Sequence, residues 1–202
     1  DSWKSFGTPP VNQALQMSLA EKIYNAKPGD NAIIVLGDRA RLIGPWIVEK
    51  ALKDKVGIVL QFEDPVFNPL SLNYASEAAI KDLADDFLDM TAAVNKRMLA
   101  VSGMAEREIR ADKQKAHLYS QSVKSFSERV TSGDVFFTLT RIPTPKDAAV
   151  DGFDYNDFTQ LFFEMCDQPW QEIDKAHRNL IKEFDAAKGV RITNSDGTDI
   201  SM

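Results

Sequence analysis

The chain is poor in the residues that build most catalytic and metal centres. Its 202 residues hold one cysteine and two histidines. A single thiol, Cys166, excludes an intrachain disulfide, so no oxidative staple contributes to stability. Cys166 lies in the apolar run Leu161-Phe162-Phe163-Glu164-Met165-Cys166, where it reads as a small core residue rather than a reactive nucleophile. Neither His117 nor His177 falls in a metal-ligand spacing. Asp174 precedes His177 by three residues, but an isolated pair of that kind on a polar helix face is usually solvated. Glu172 lies about 140° round the helix from His177.

Other absences narrow the function further. No apolar run approaches the roughly 20 residues needed to span a bilayer, so no membrane segment is expected. Basic residues are outnumbered, with Lys+Arg 24 against Asp+Glu 30 and a net charge of -6. That balance offers no footprint for a phosphate backbone, and nucleic acid is not expected as a partner. Gly37-Asp38-Arg39-Ala40-Arg41 lacks the glycine spacing and the lysine of a phosphate-binding loop. There is no Gly-x-Ser-x-Gly elbow for a serine hydrolase. Asp85-Asp86-Phe87-Leu88-Asp89 matches the magnesium-holding Asp-Asp-x-x-Asp pattern of prenyl-diphosphate enzymes. That chemistry belongs inside an all-helical bundle, so the motif reads as a solvated acidic helix face.

What is present is an alternation of strands and helices. Leu15, Leu19 and Ile23 recur every four residues and predict an amphipathic helix over 11–26. The turn Lys27-Pro28-Gly29-Asp30 delivers Ala32-Ile33-Ile34-Val35-Leu36, a continuous run suited to a strand buried on both faces. A crossover helix over 39–55 and a strand over 56–62 complete a βαβ unit. A loop over 64–69, a helix over 76–95 and a short strand over 97–102 follow. A single charged helix over 106–130 leads to a strand over 135–140, and Pro143 and Pro145 make a rigid exit. Helices over 155–166 and 170–187 and a strand over 190–193 close the chain. This order predicts one α/β domain over 1–202 with a mostly parallel sheet flanked by helices.

The second half has a more particular texture. Phe136-Phe137-Thr138-Leu139-Thr140-Arg141-Ile142-Pro143-Thr144 leads into Pro145-Lys146-Asp147-Ala148-Ala149 and Gly152-Phe153. Tyr155-Asn156-Asp157-Phe158 and Phe162-Phe163-Glu164-Met165-Cys166 follow, then Gly189-Val190-Arg191-Ile192-Thr193 and Gly197-Thr198-Asp199-Ile200. In order and spacing this resembles the amino-terminal half of the thermophilic-type metalloaminopeptidases, the family of aminopeptidases T, S and II. Lys27-Pro28-Gly29-Asp30 before a buried strand is similar to that family's first helix–turn–strand. Gly152-Phe153-Asp154 stands where the family has Gly-Met-Ser, and Phe137 where a tryptophan is frequent.

The resemblance implies a non-catalytic amino-terminal domain of a two-domain hydrolase that removes amino-terminal residues from peptides. Its two divalent cations (zinc, cobalt or magnesium) would be held by Glu, His and Asp side chains of a carboxyl-terminal domain expected beyond Met202. No position of this chain inherits a catalytic, cofactor or metal role, and the isolated chain is expected to be inactive. A homodimer, a cytoplasmic location and a truncated or partial chain are further expectations, and a removed signal peptide stays open because the chain starts Asp1-Ser2-Trp3. Trp3, Phe6, Phe67 and Tyr74 are candidates for subunit contacts. The alternative is a stand-alone binding module for a small ligand or a protein, whose crevice is formed by the loops Gly37 to Arg41 and Glu63 to Asn68.

Overall fold

A computed structural model describes residues 11–64, 66–102 and 109–202 of the chain. The chain divides into two compact units, Asp1–Asp167 and Gln168–Met202. In the first, helix α1 (Gln13–Ile23) begins at Asn12, whose side chain accepts from the Ala14 amide at 2.8 Å. Strand β1 (Asn31–Gly37) follows, then a short 3₁₀ turn over Asp38–Leu42, helix α2 (Gly44–Lys53) and strand β2 (Gly57–Glu63). Helices α3 (Phe67–Tyr74) and α4 (Glu77–Thr91) lead to β3 (Lys96–Ser102). Helices α5 (Lys113–Ser122) and α6 (Lys124–Ser132) lead to β4 (Phe136–Ile142), and α7 (Pro145–Val150) and α8 (Tyr155–Cys166) end the unit.

The four strands form one sheet in the order β2-β1-β3-β4, and every pairing is parallel. β1 is central because it can be: six of its seven residues are buried, so it tolerates helices on both faces. Ala32, Ile34 and Leu36 point to one layer and pack with Leu19 and Ile23 of α1, Ile47 and Ala51 of α2, and Phe163 of α8. Ile33 and Val35 point to the other and pack with Val94, Phe126 of α6 and Val135, with Phe87 of α4 alongside. Burying each such side chain contributes about 1.5–3 kcal/mol. The result is a three-layer α/β domain with a parallel sheet flanked by helices, as the residue pattern predicts.

The second unit holds α9 (Trp170–Ala186) and the antiparallel strands β5 (Arg191–Thr193) and β6 (Asp199–Ser201), which form a sheet of their own. Gly197, at φ 92°, makes the turn between them. Arg191 and Asp199 pair across this ribbon in a bidentate contact at 2.7 and 2.8 Å.

Three local expectations are corrected. The segment 64–69 is not all loop: α3 starts at Phe67, because the Asp64 carboxylate accepts from the Val66 and Phe67 amides at 2.8 and 2.7 Å. The helix expected over 106–130 is two helices that meet at Val123, a break that turns Phe126 into the core. The expected rigid exit is the helix α7, with Pro145 in its first turn and a capping box at its start. Residues 106–108 of the expected helix lie outside the described residues.

Candidate functional site

In an open parallel sheet, ligands bind beyond the carboxyl ends of the strands, where neighbouring crossovers diverge. Here that place is the end of β1, which has β2 on one side and β3 on the other. Gly37 permits β1 and β3 to close there, since a Cβ on it would lie 2.7 Å from the Ser102 nitrogen and 2.8 Å from Ser102 Oγ. The next residue, Asp38, ties the two strands together. Its carboxylate accepts from Ser102 Oγ and from the Arg39 amide at 2.8 Å, and it forms an ion pair with the Arg39 side chain, whose Nε lies 3.3 Å away. The Arg39 guanidinium also lies over the Tyr155 ring, 5.9 Å from its centroid.

On the β2 side of this junction opens a cleft of about 650 Å³. Its walls are Leu36, Val48, Leu60 and Phe62, its base is the start of α2 at Gly44 and Pro45, and its rim carries Asp38, Arg39, Arg41, Glu63 and Asp64. The two loops expected to form a crevice therefore do meet, through Gly37 to Arg41 and through Glu63 and Asp64. The volume and the mixture of apolar walls with a few charges suit a small ligand or a short peptide.

The other residues singled out from sequence lie elsewhere. Asp85, Asp86 and Asp89 are exposed on α4, and His117 is exposed on α5. His177 is exposed on α9, and its neighbour Asp174 accepts from Arg178 Nε at 2.7 Å. Among the described residues no three His, Cys, Asp or Glu side chains come together in a metal-holding group. The described residues thus offer no donor set that fits the two divalent cations of a metalloaminopeptidase. Cys166 is half-buried against the α1–α2–α8 layer, and burial pushes its thiol up, opposed by the nearby Lys22 charge. That is the environment of a packing residue. Phe67 and Tyr74 are exposed, at 68% and 85%, while Trp3 and Phe6 lie outside the described residues.

A second cleft, of about 340 Å³, escaped the sequence reading. It opens on the opposite face of the sheet, where Ile33, Val59 and Gln61 meet Asn68, Ser71 and Leu72 of α3, Leu83, Phe87 and Met90 of α4, and Tyr119 of α5. Its signal was hidden because α3 was not expected.

In fold, the chain is similar to AmpT. Wild-type AmpT from Thermus thermophilus superposes with a TM-score of 0.61 at 16% identity, over 84% of this chain and 48% of that one. The chain spans about half the length of the solved structure it matches. No protein-family model matches the sequence, and no curated protein does. The comparison establishes an aminopeptidase-like fold. No helix among the described residues is long and apolar enough to cross a membrane.

Proposed function

We propose that the chain serves as the non-catalytic amino-terminal domain of a metal-dependent aminopeptidase acting on peptides, shaping access to a site built by another domain and contributing to a homodimer. The observation that carries this reading is the AmpT-like fold over 84% of the chain, matched to only 48% of AmpT. The motif order from Phe136 to Ile200, which resembles that of the family, agrees with this reading. In this role the α/β unit supplies shape: a rigid sheet with a cleft at the ends of β1 and β2.

The test is direct. The purified 202-residue chain is expected to release nothing from leucine p-nitroanilide, with or without zinc, cobalt or magnesium. A polypeptide extended by the downstream reading frame is expected to be active and to lose activity to a chelator. Chelator-sensitive peptidase activity in the 202-residue chain itself would overturn the proposal. The second reading, a binding module without catalysis, is favoured by the cleft between Gly37–Arg41 and Glu63–Asp64. A reading frame that ends at Met202, together with saturable binding of a ligand in that cleft, would select it.

A further inference from the structure

β2 is an open edge with a cleft on each face. It pairs with β1 residue for residue from Gly57 to Glu63, and among the described residues no strand pairs with its other side. A free edge presents backbone donors and acceptors that can take another strand, and native edges are commonly blunted by charge, proline or a bulge. Gly57-Ile58-Val59-Leu60-Gln61-Phe62-Glu63 has no proline, no bulge in its register with β1, and a charge only at its last residue. Leu60 is 44% exposed and Phe62 69%.

The side chains of this strand alternate between the two clefts. Leu60 and Phe62 wall the larger one, while Val59 and Gln61 wall the smaller one with Leu83 and Phe87, and Leu60 borders both. A strand laid beside β2, at the usual spacing of about 4.8 Å, would send its own side chains alternately over the same two clefts. Main-chain bonding along an edge with a pocket for each alternate side chain is how proteins capture extended peptides. No β4 residue lines either cleft, although β4 is the other edge of the sheet.

We propose that β2 accepts an extended peptide whose apolar side chains fill the two clefts in alternation. Charge sets its direction. At the end of β2 the larger cleft carries three carboxylates, Asp38, Glu63 and Asp64, against two guanidiniums, Arg39 and Arg41. In the turn before β2, Lys55 stands beyond the Lys50–Asp54 and Lys53–Glu49 ion pairs. The peptide therefore runs antiparallel to β2, its amino-terminal ammonium near Glu63 and Asp64. This proposal does not depend on the aminopeptidase reading, since it requires only the described edge.

The test uses the 202-residue chain and the heptapeptide Ala-Val-Leu-Thr-Leu-Val-Lys, with a free amino terminus and a fluorophore on its lysine. Fluorescence anisotropy is read for this probe and for two versions N-methylated at alternate residues in opposite phase. Saturable binding is expected. One methylated phase, whose N–H groups face β2, loses about tenfold or more in affinity, and the other stays within about threefold. Amino-terminal acetylation also weakens binding several-fold. The double variant Leu60→Lys, Phe62→Lys weakens it about tenfold; if its circular dichroism departs from that of the unaltered chain, the methylated pair decides alone. Equal binding of the two methylated forms, or no saturation by about 1 mM peptide, overturns the proposal. So does a dimer of the chain that the double variant splits, because the edge would then belong to a second copy.

Discussion

Gly37 and Asp30 each bind distant parts of the fold through a handful of atoms. A methyl group on Gly37 has no space between β1 and β3, because backbone and hydroxyl of Ser102 lie within 3.0 Å of where it would sit. Gly37→Ala is expected to cost about 1–3 kcal/mol, read as a lower urea midpoint with an unchanged slope. Asp30 is buried, and burial pushes its carboxyl up. The Lys27 amide at 2.9 Å, the Asn95 amide group at 2.8 Å and the Lys96 and Lys27 charges outweigh burial and hold it below the ordinary carboxylate value. A pKa lowered by folding means the native state binds the proton less readily than the unfolded chain. Its stabilisation is full above the unfolded value of about 4 and is lost as pH falls through the native one. Asp30→Asn should therefore lower the thermal midpoint at pH 7, with a gap that narrows below about pH 4. Equal gaps at pH 7 and pH 3 would rule this linkage out. The packing role of Cys166 was legible because its neighbours in sequence are apolar. The constraint on Gly37 was not, because its close contact comes from a strand 65 positions later (102 − 37).

Among the elements, the strands were legible nearly to the residue, and the short helices were not. β1 announces itself by five consecutive apolar residues, whereas α7 depends on two side chains closing around three amides and hydroxyls. Thr144 Oγ accepts from the Asp147 amide at 3.2 Å, and Asp147 Oδ2 accepts from the Thr144 amide at 2.9 Å. Thr144 is fully buried, so losing its hydroxyl leaves that amide unanswered. Thr144→Val is expected to cost about 1 kcal/mol, a fall of about 2–4 °C in Tm by calorimetry. The α5–α6 break escaped notice for a related reason: no proline or glycine marks Val123, and only the burial of Phe126 explains it. Hydrogen exchange should rank the strands by position. β1 and β3 are expected to exchange slowest and the edges β2 and β4 sooner, since their burial patterns differ accordingly. Protection of β2 equal to that of β1 in the unliganded chain would contradict an open edge.

At the scale of the molecule, the two units rest on different physics. Asp1–Asp167 has two apolar layers, while Gln168–Met202 has no buried residue at all. A lone helix and a two-stranded ribbon do not hold themselves together in water. A peptide of residues 168–202 is therefore expected to give a largely disordered circular dichroism spectrum, and a cooperative thermal transition in it would refute that. The crevice at the strand ends was legible because the βαβ order fixes which loops share an edge of the sheet. The cleft on the opposite face depends on side chains of α3, α4 and α5, whose meeting no periodicity encodes. The order β2-β1-β3-β4 carries a last consequence, for a chain still being made. β1 and β2 leave the ribosome early, but one face of β1 waits for Phe126 and the other for Phe163. Until Phe163 is made, the layer over Ala32, Ile34 and Leu36 rests on α1 and α2 without α8. Synthesis halted after Ile142 and before Phe163 should accordingly yield a sticky, chaperone-dependent product, although all four strands of the sheet have already been made.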